Sequence, residues 1–404
     1  MEAAAIEVAA STDGQLAPPI MGAAAFIIAE YLGVTYLDVI KAAAIPAFVS
    51  YATLFFIVHV EASKAGLKGL SREETPNFLA VLKSGLHYLL PIGVLIYELV
   101  VQRHSPELSA FRAIIVLAVL MIIQEPIRCF RKDEPLGPAF KTGFKSLINA
   151  AIAGGRNMVP VAIACAASGI IVGIVTMGMG SIITELVAFL SGDNIFLLVA
   201  ITAIASLLLG MGLPTTATYI VMAVLIAPVI TEVGLAKGFV VPLMAAHLFC
   251  FYFGILADDT PPVGLAAYAA SAIAKSPPVM TGVQAFLYDI RTAMIAFMFI
   301  FNHDLILLNI NSWALAILIF SMACIGNFSF AAATQGWFVF KNRWYEIPLL
   351  LTVTFVMMQP ATIAEWLTIE NKYLVYPLGL ILFGMIYLNQ SRRRIKQKEG
   401  GLKY

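Results

Sequence analysis

The sequence contains few charged residues and few cysteines. Lysine, arginine, aspartate and glutamate make up 12% of the 404 residues, about half the share in a soluble globular protein, and the formal net charge is +1. A chain this close to neutral offers no basic face, so a nucleic-acid-binding protein is excluded. The four cysteines show neither a CxxC pair nor metal-ligand spacing with histidine, which argues against a disulfide framework and a zinc site.

The rest of the composition is apolar. Hydrophobic residues make up 60% of the chain, and the mean hydropathy is +0.90. This much apolar surface cannot be buried in one soluble core, so we expect an all-α polytopic integral membrane protein, with about eight to ten crossings at roughly 20 residues each. The predicted spans are 19–34, 38–61, 84–102, 108–125, 157–177, 242–274 as one broken span, 283–301, 312–334, 347–366 and 373–389, while 194–212 and 217–233 are two further apolar segments. Residues 137–154 are predicted to form a separate interfacial helix.

Basic residues concentrate in three segments, namely 62–83, 128–156 and the tail 392–404. The positive-inside rule places all three on the cytoplasmic side. The number of crossings between these segments is consistent with this placement if 194–233 forms a re-entrant hairpin that enters and leaves on the outer side. We therefore expect a multi-pass protein with a cytoplasmic C-terminus.

Two segments of the chain match each other. TDGQLAPPIMGAAAF (12–26) and LADDTPPVGLAAY (256–268) each place a polar cluster before a Pro-Pro pair and a helix of small apolar residues. Matching interruptions in two halves are typical of an inverted-repeat transporter with broken helices.

The prolines predict a binding site at these breaks. A proline at position i cannot donate to the carbonyl at i−4, so we expect free carbonyls at Gly14, Gln15, Gly210, Ala257 and Asp258. Carbonyl, carboxylate and hydroxyl oxygens suit a hard cation, and the amino ends of half-helices suit a carboxylate substrate. The alternative is a kinked helix whose carbonyls are satisfied by water or neighbouring hydroxyls. The predicted cation- or substrate-binding residues are Ser11, Thr12, Gly14, Gln15, Pro18, Pro19, Gly210, Gly212, Pro214, Thr215, Thr216, Asp258, Asp259, Thr260, Pro261 and Pro262. Among these, the candidate ligands of a cation are Gly210, Thr215, Asp258 and Asp259.

A few other polar residues lie in or near predicted spans. We expect Asp289 and Arg291 near the cytoplasmic mouth of a span. Histidines inside spans are expected to be packed or pore-facing hydrogen-bonding residues, and His247, about three helical turns before Asp258, is the best candidate for the alternative role of a proton relay.

Three motifs resemble one transporter family. GQLAPPIMGAAAF (14–26), GMGLPTTATY (210–219) and ADDTPPVGLAAY (257–268) resemble the DctM-type large permease of TRAP (tripartite ATP-independent periplasmic) transporters, and most of all the fused permeases that work with TAXI-type binding proteins. The resemblance covers 1–300. Residues 301–391 resemble the additional C-terminal helices of those permeases, and 392–404 form a basic tail.

The resemblance implies an elevator-type secondary transporter in a prokaryotic plasma membrane. It implies import of an organic acid delivered by an extracytoplasmic solute-binding protein, with Na⁺ as the coupling ion and no other cofactor. Family substrates include C4-dicarboxylates, 2-oxo acids, glutamate and sialic acid.

The sequence departs from the family pattern at its start. The family has a first Gly/Ser-rich hairpin before the motif at Gly14, and here only residues 1–13 precede it. We therefore expect the chain to resemble only the C-terminal portion of the family, with a missing N-terminal permease part or a small permease subunit as partner. A truncated non-transporting fragment, or one half of a split permease, is the alternative function.

An intramembrane enzyme is the remaining alternative, and the motifs argue against it. An intramembrane aspartyl protease needs a Gly-x-Gly-Asp signature, but Leu213 stands where the acid belongs. A prenyl transferase needs a further acid after Asp258 and Asp259, and none follows in the motif. We therefore do not expect an enzyme.

Overall fold

The computed structural model describes the chain except for residues 68, 70, 72, 131–134, 175, 176, 178, 179, 193, 212, 263, 309, 311 and 400–404. The helices, in chain order, are α1 (Glu2–Asp13), α2 (Ala23–Leu32), α3 (Tyr36–Lys64), α4 (Phe78–Gly85), α5 (Leu89–Ile96), α6 (Pro106–Phe130), α7 (Leu136–Ile174), α8 (Gly180–Ser191), α9 (Ile195–Gly210), α10 (Thr215–Leu225), α11 (Gly234–Ala236), α12 (Leu243–Asp259), α13 (Leu265–Ala274), α14 (Pro278–Phe301), α15 (Trp313–Gln335), α16 (Glu346–Met358), α17 (Pro360–Trp366) and α18 (Tyr376–Glu399).

The fold is all-α, as predicted. Within the described residues the only extended pairing is an isolated bridge between Trp337 and Lys341. Seven helical segments there are long and apolar enough to cross a bilayer, or eight if α16 and α17 count as one bent span. Helices satisfy their own backbone hydrogen bonds, which a hydrocarbon environment requires. The protein is therefore a multi-pass membrane protein.

The chain divides into two compact units. The larger comprises Met1–Val34, Asp38–Leu67 and Ser168–Tyr404. The smaller comprises Thr35–Leu37 and Lys68–Ala167, and within it α5 packs on α6. All the predicted site residues belong to the larger unit.

Two predicted spans differ from the observed helices. Residues 137–154 and 157–177 were expected to be separate, but α7 runs unbroken for 39 residues through the glycines between them. Residues 347–366 were expected to be one ordinary span, but α16 and α17 meet at an angle of 95°. Gln359 leaves the helical conformation immediately before Pro360, because a residue preceding proline is disfavoured in the α region.

The C-terminal helices are joined around Glu346, the first residue of α16. Its carboxylate is 1% exposed and receives several donors from the α15–α16 loop and α18. These are Arg393 Nη2 (2.5 and 2.6 Å), Gln390 Nε2 (2.9 Å), Asn389 Nδ2 (3.3 Å) and the backbone N–H of Arg343 (2.8 Å). Further along, Gly326 lets α15 approach α16, since a Cβ there would lie 2.8 Å from Met357 Cβ. One satisfied buried carboxylate thus joins the α15–α16 loop, the start of α16 and α18.

Replacing Arg393 with alanine is expected to destabilise this part of the fold. The change removes the charged donor and leaves Glu346 buried with only neutral partners, at a cost of about 2–4 kcal/mol. Thermal unfolding of the purified chain in detergent measures the effect. The matched control is Arg392→Ala, which removes an equal charge from an exposed neighbour and is expected to change the melting temperature little. Equal melting temperatures for the two variants would contradict the role given to Glu346.

Candidate functional site

The turn between α9 and α10 lies against the C-terminal end of α12. Gly210, the last residue of α9, is buried where the hairpin meets α12, and a Cβ there would lie 2.6 Å from both Ala257 Cβ and Thr218 Cγ2. At the first residue of α10, the Thr215 hydroxyl donates to Asp258 Oδ2 over 2.6 Å. Two motifs 43 residues apart in the sequence are therefore joined directly.

Most backbone carbonyls at the breaks are hydrogen-bonded, although they were expected to be free. Four of the five that prolines were expected to leave free accept a hydrogen bond from a nearby backbone N–H. The bonds run from Ala17 to Gly14 (3.4 Å), Gly22 to Gln15 (2.9 Å), Leu213 to Gly210 (3.2 Å) and Thr260 to Ala257 (3.3 Å). The chain folds into tight turns around the prolines, and backbone N–H groups within these turns donate to the carbonyl oxygens instead. Any ligand chemistry here rests first on side-chain oxygens.

The two Pro-Pro motifs share their local form. The Pro18–Pro19 and Pro261–Pro262 peptide bonds are both cis. The two motifs differ at the preceding hydroxyls, because Thr12 is buried and near Asp259, whereas Thr260 bonds back to the Leu256 carbonyl at 2.7 Å.

The remaining predicted residues lie apart from the Thr215–Asp258 contact. Ser11 is exposed on α1 and Pro262 is exposed after α12, while Thr216 is half-buried on α10. Pro214 is the N-cap residue of α10. Gly212 lies outside the described residues.

Three short helices around this region begin without a side-chain cap. The N-cap residues are Gly22 for α2, Pro214 for α10 and Gly264 for α13, and none makes a side-chain cap hydrogen bond. Helices usually begin at Ser, Thr, Asp or Asn, whose oxygen satisfies the first N–H groups. Glycine and proline have no such oxygen, so the first amides and the positive dipole end of each helix are left for another acceptor.

Sequence reasoning missed a buried charge network next to these motifs. Arg291 of α14 donates to Asp13 Oδ2 at 2.5 Å and to Asp289 Oδ1 at 2.8 Å, and all three side chains are 1% exposed. Ser50 of α3 donates to both oxygens of Asp13, at 3.0 and 2.9 Å. The network ties the end of α1 to α3 and α14. Asp289 and Arg291 were expected near the cytoplasmic mouth of a span, and their shared hydrophobic surroundings gave no signal that Asp13 is their partner.

His247 has a structural partner of its own. Its Nδ1 lies 2.8 Å from the Tyr219 hydroxyl, and the Tyr31 ring packs on both side chains. This contact fastens α12 to α10 and is the packed arrangement that was the alternative to a proton relay at this residue.

Replacing Arg291 with methionine is expected to destabilise the chain by about 3–5 kcal/mol, because Asp13 and Asp289 would lose their only cationic partner among the described residues. The test is a double-mutant cycle with Asp13→Asn, followed by thermal unfolding in detergent. The double variant is expected to be more stable than the sum of the single effects, because a neutral amide in place of the Asp13 carboxylate no longer needs the guanidinium. Strictly additive effects would contradict a direct Asp13–Arg291 coupling.

Comparison with known families agrees with this architecture. The chain matches the family model of the DctM component of the tripartite ATP-independent periplasmic transporter over residues 1–314. A second model, a domain of unknown function (DUF3394), matches residues 316–373. No curated protein matches the chain. The first match begins at residue 1, so the expectation that the chain resembles only the C-terminal portion of the family is not borne out. Since that match covers well over half of the sequence, the chain belongs to the DctM family of TRAP transporter large permeases.

Proposed function

We propose that this chain is the permease subunit of a TRAP-type secondary transporter that imports an organic acid. The observation that carries the proposal is the contact between Thr215 at the hairpin turn and Asp258 at the end of α12. In this proposal the contact marks the cation and substrate site, with the substrate delivered by an extracytoplasmic binding protein. The prokaryotic plasma membrane, with the C-terminal tail in the cytoplasm, is the proposed setting.

An anionic substrate is supported by the helix termini. The starts of α2, α10 and α13 carry no side-chain cap, and such helix ends bind anions through free N–H groups and the helix dipole. Thr215 and Thr216 stand in the first turn of α10, where a substrate carboxylate would meet both amides and hydroxyls. Discontinuous helices whose N-termini face the substrate are how some transporters hold carboxylates near mid-membrane depth.

A cation as the driving ion is supported by the chemistry of the turn. Asp258 offers a half-buried carboxylate and Thr215 a hydroxyl oxygen 2.6 Å away, both hard ligands. An ion bound here would lie between the hairpin and α12, so its binding would favour the packed arrangement of the two elements. Sodium coupling is part of this proposal.

Replacing Thr215 with alanine, or Asp258 with asparagine, is expected to raise the sodium concentration needed for half-maximal uptake by about tenfold or more, which corresponds to about 1.4 kcal/mol. Uptake of radiolabelled succinate, 2-oxoglutarate and glutamate is measured in cells that carry the complete transporter, with sodium replaced stepwise by choline. The matched control is Thr352→Ala, which removes an exposed threonine hydroxyl from α16 and is expected to leave uptake unchanged.

Two results would overturn the proposal. One is an unchanged sodium dependence in both site variants. The other is the absence of sodium-driven uptake for every acid tested in cells with the unaltered chain.

A further inference from the structure

The end of α18 carries positive charge that the proposed function does not use. The tail 392–404 holds six basic residues and one acid, Glu399. Arg393 is bound to the buried carboxylate of Glu346. Arg392 and Lys396 are exposed, and neither forms an ion pair within the described part of the chain. Two uncompensated cations therefore stand at the end of a helix that is long and apolar enough to cross a bilayer.

This helix has one packed face and one bare face. Leu382, Phe383 and Ile386 belong to a core shared with α15 and α16. A different face carries an exposed apolar stripe, whose side chains are between 47% and 59% exposed, namely Leu378, Ile381, Met385 and Leu388. At 100° per residue, the four positions fall within about 80° of one another around the helix axis. The stripe is therefore a continuous apolar surface.

The two cations continue the stripe. Arg392 stands four residues after its last member and Lys396 four residues after Arg392, a spacing that keeps all of them on one face. Both line an open cavity of about 390 Å³, together with Asn389, Arg393 and Ile395. Arg393 donates to Glu346 through Nη2 alone, and its Nε has no hydrogen-bond partner among the described residues. Three cations thus meet at the end of an apolar surface.

The dimensions of this face match one leaflet of a bilayer. Leu378 and Leu388 are ten residues apart, which is about 15 Å along the helix axis, half of a hydrocarbon core of about 30 Å. Arg392 lies about 6 Å further, where a headgroup phosphate would stand. The α15–α16 loop meets α18 at Gln390 and exposes Trp344, a residue type enriched at the membrane–water interface.

We propose that this face of α18 binds one anionic phospholipid, with the acyl chains along the apolar stripe and the headgroup phosphate at Arg392 and Lys396. Basic residues immediately beyond a membrane span attract anionic headgroups, and the cavity supplies further donors from Asn389 and Arg393. A zwitterionic phospholipid has the same acyl chains but no net charge to offset the two cations. The inference rests on the multi-pass membrane fold and is independent of the transport reaction.

A second copy of the chain fits this face less well. In a two-fold symmetric contact the same patch lies on both sides, so the cations of one copy would face those of the other. Like charges at close range repel, and most strongly in a medium of low dielectric constant. An anionic lipid removes this repulsion and covers the apolar stripe at the same time.

The test titrates the purified full chain in detergent with dioleoylphosphatidylglycerol and counts the bound lipids by native mass spectrometry. Dioleoylphosphatidylcholine has the same acyl chains and serves as the uncharged comparison. One more phosphatidylglycerol than phosphatidylcholine is expected to bind per chain at equal concentration. A large excess of glycerol 3-phosphate is expected not to displace it, because that compound has no acyl chains. Displacement would assign the cavity to a free phosphate compound and overturn the lipid proposal.

Replacing both Arg392 and Lys396 with glutamine is expected to weaken phosphatidylglycerol binding about 25-fold, at about fivefold for each basic residue, and to leave phosphatidylcholine binding unchanged. The matched control replaces Lys341 and Arg343 with glutamine, which removes two exposed cations from the α15–α16 loop at the same end of α18. This control is expected to retain the bound phosphatidylglycerol. Should the double variant fail to fold, Lys396→Gln alone is expected to show a loss of about fivefold.

Three results would overturn the inference. The first is equal affinity of the unaltered chain for the two lipids. The second is an equal loss in the two double variants, since the attraction would then belong to the general positive charge of this end. The third is loss of a dimer in the variant of Arg392 and Lys396 with unchanged lipid binding, which would assign the face to a second copy. Failure of sodium-driven uptake would count against the proposed function and leave this lipid result standing.

Discussion

A single buried guanidinium joins α1, at the start of the sequence, to α14. Arg291 on α14 binds Asp13, which ends α1, and its own neighbour Asp289, with Ser50 of α3 closing the other side of Asp13. In a protein whose helices are mostly apolar, packing alone gives little directional preference between helices. A buried ion pair with several hydrogen bonds fixes one register, because any slip leaves charges unpaired in a medium of low dielectric constant. This contact therefore fixes the first repeat motif, which contains Asp13, against α3 and α14.

The breaks in the helices work differently from what proline chemistry alone indicates. Proline removes a donor, but the turn that follows supplies others, and the carbonyls of Gly14, Gln15, Gly210 and Ala257 are all bonded. What the breaks leave open is the amino end of the next helix, because glycine or proline occupies each N-cap position. The breaks therefore present positive helix ends and side-chain oxygens, which is a different chemistry from a ring of bare carbonyls.

Much of the fold follows from hydropathy. Long apolar runs between polar segments predict the spans α3, α6, α14 and α15 within a few residues, because burial in lipid imposes length and composition on each helix. The bend at Gln359 was missed because residues 347–366 are together long and apolar enough to be interpreted as one span, and the backbone conformation reveals the break. Within the candidate site, the pairing of Thr215 with Asp258 joined two motifs already selected by their breaks. The partners of Arg291 could not be predicted, since 278 residues separate it from Asp13 and no local pattern links them.

The absence of a side chain at Gly210 limits how the hairpin can move. Its backbone approaches α12 so closely that a single methyl group would overlap Ala257. One helical turn earlier on α9 stands Ser206, which, unlike Gly210, carries a side chain. A slide of α9 by one turn would bring that larger side chain to the point of closest approach, so the contact at Gly210 opposes sliding. The close fit at Gly210 therefore couples the position of the hairpin to that of α12, and a bulkier residue at Gly210 would have to push the two elements apart.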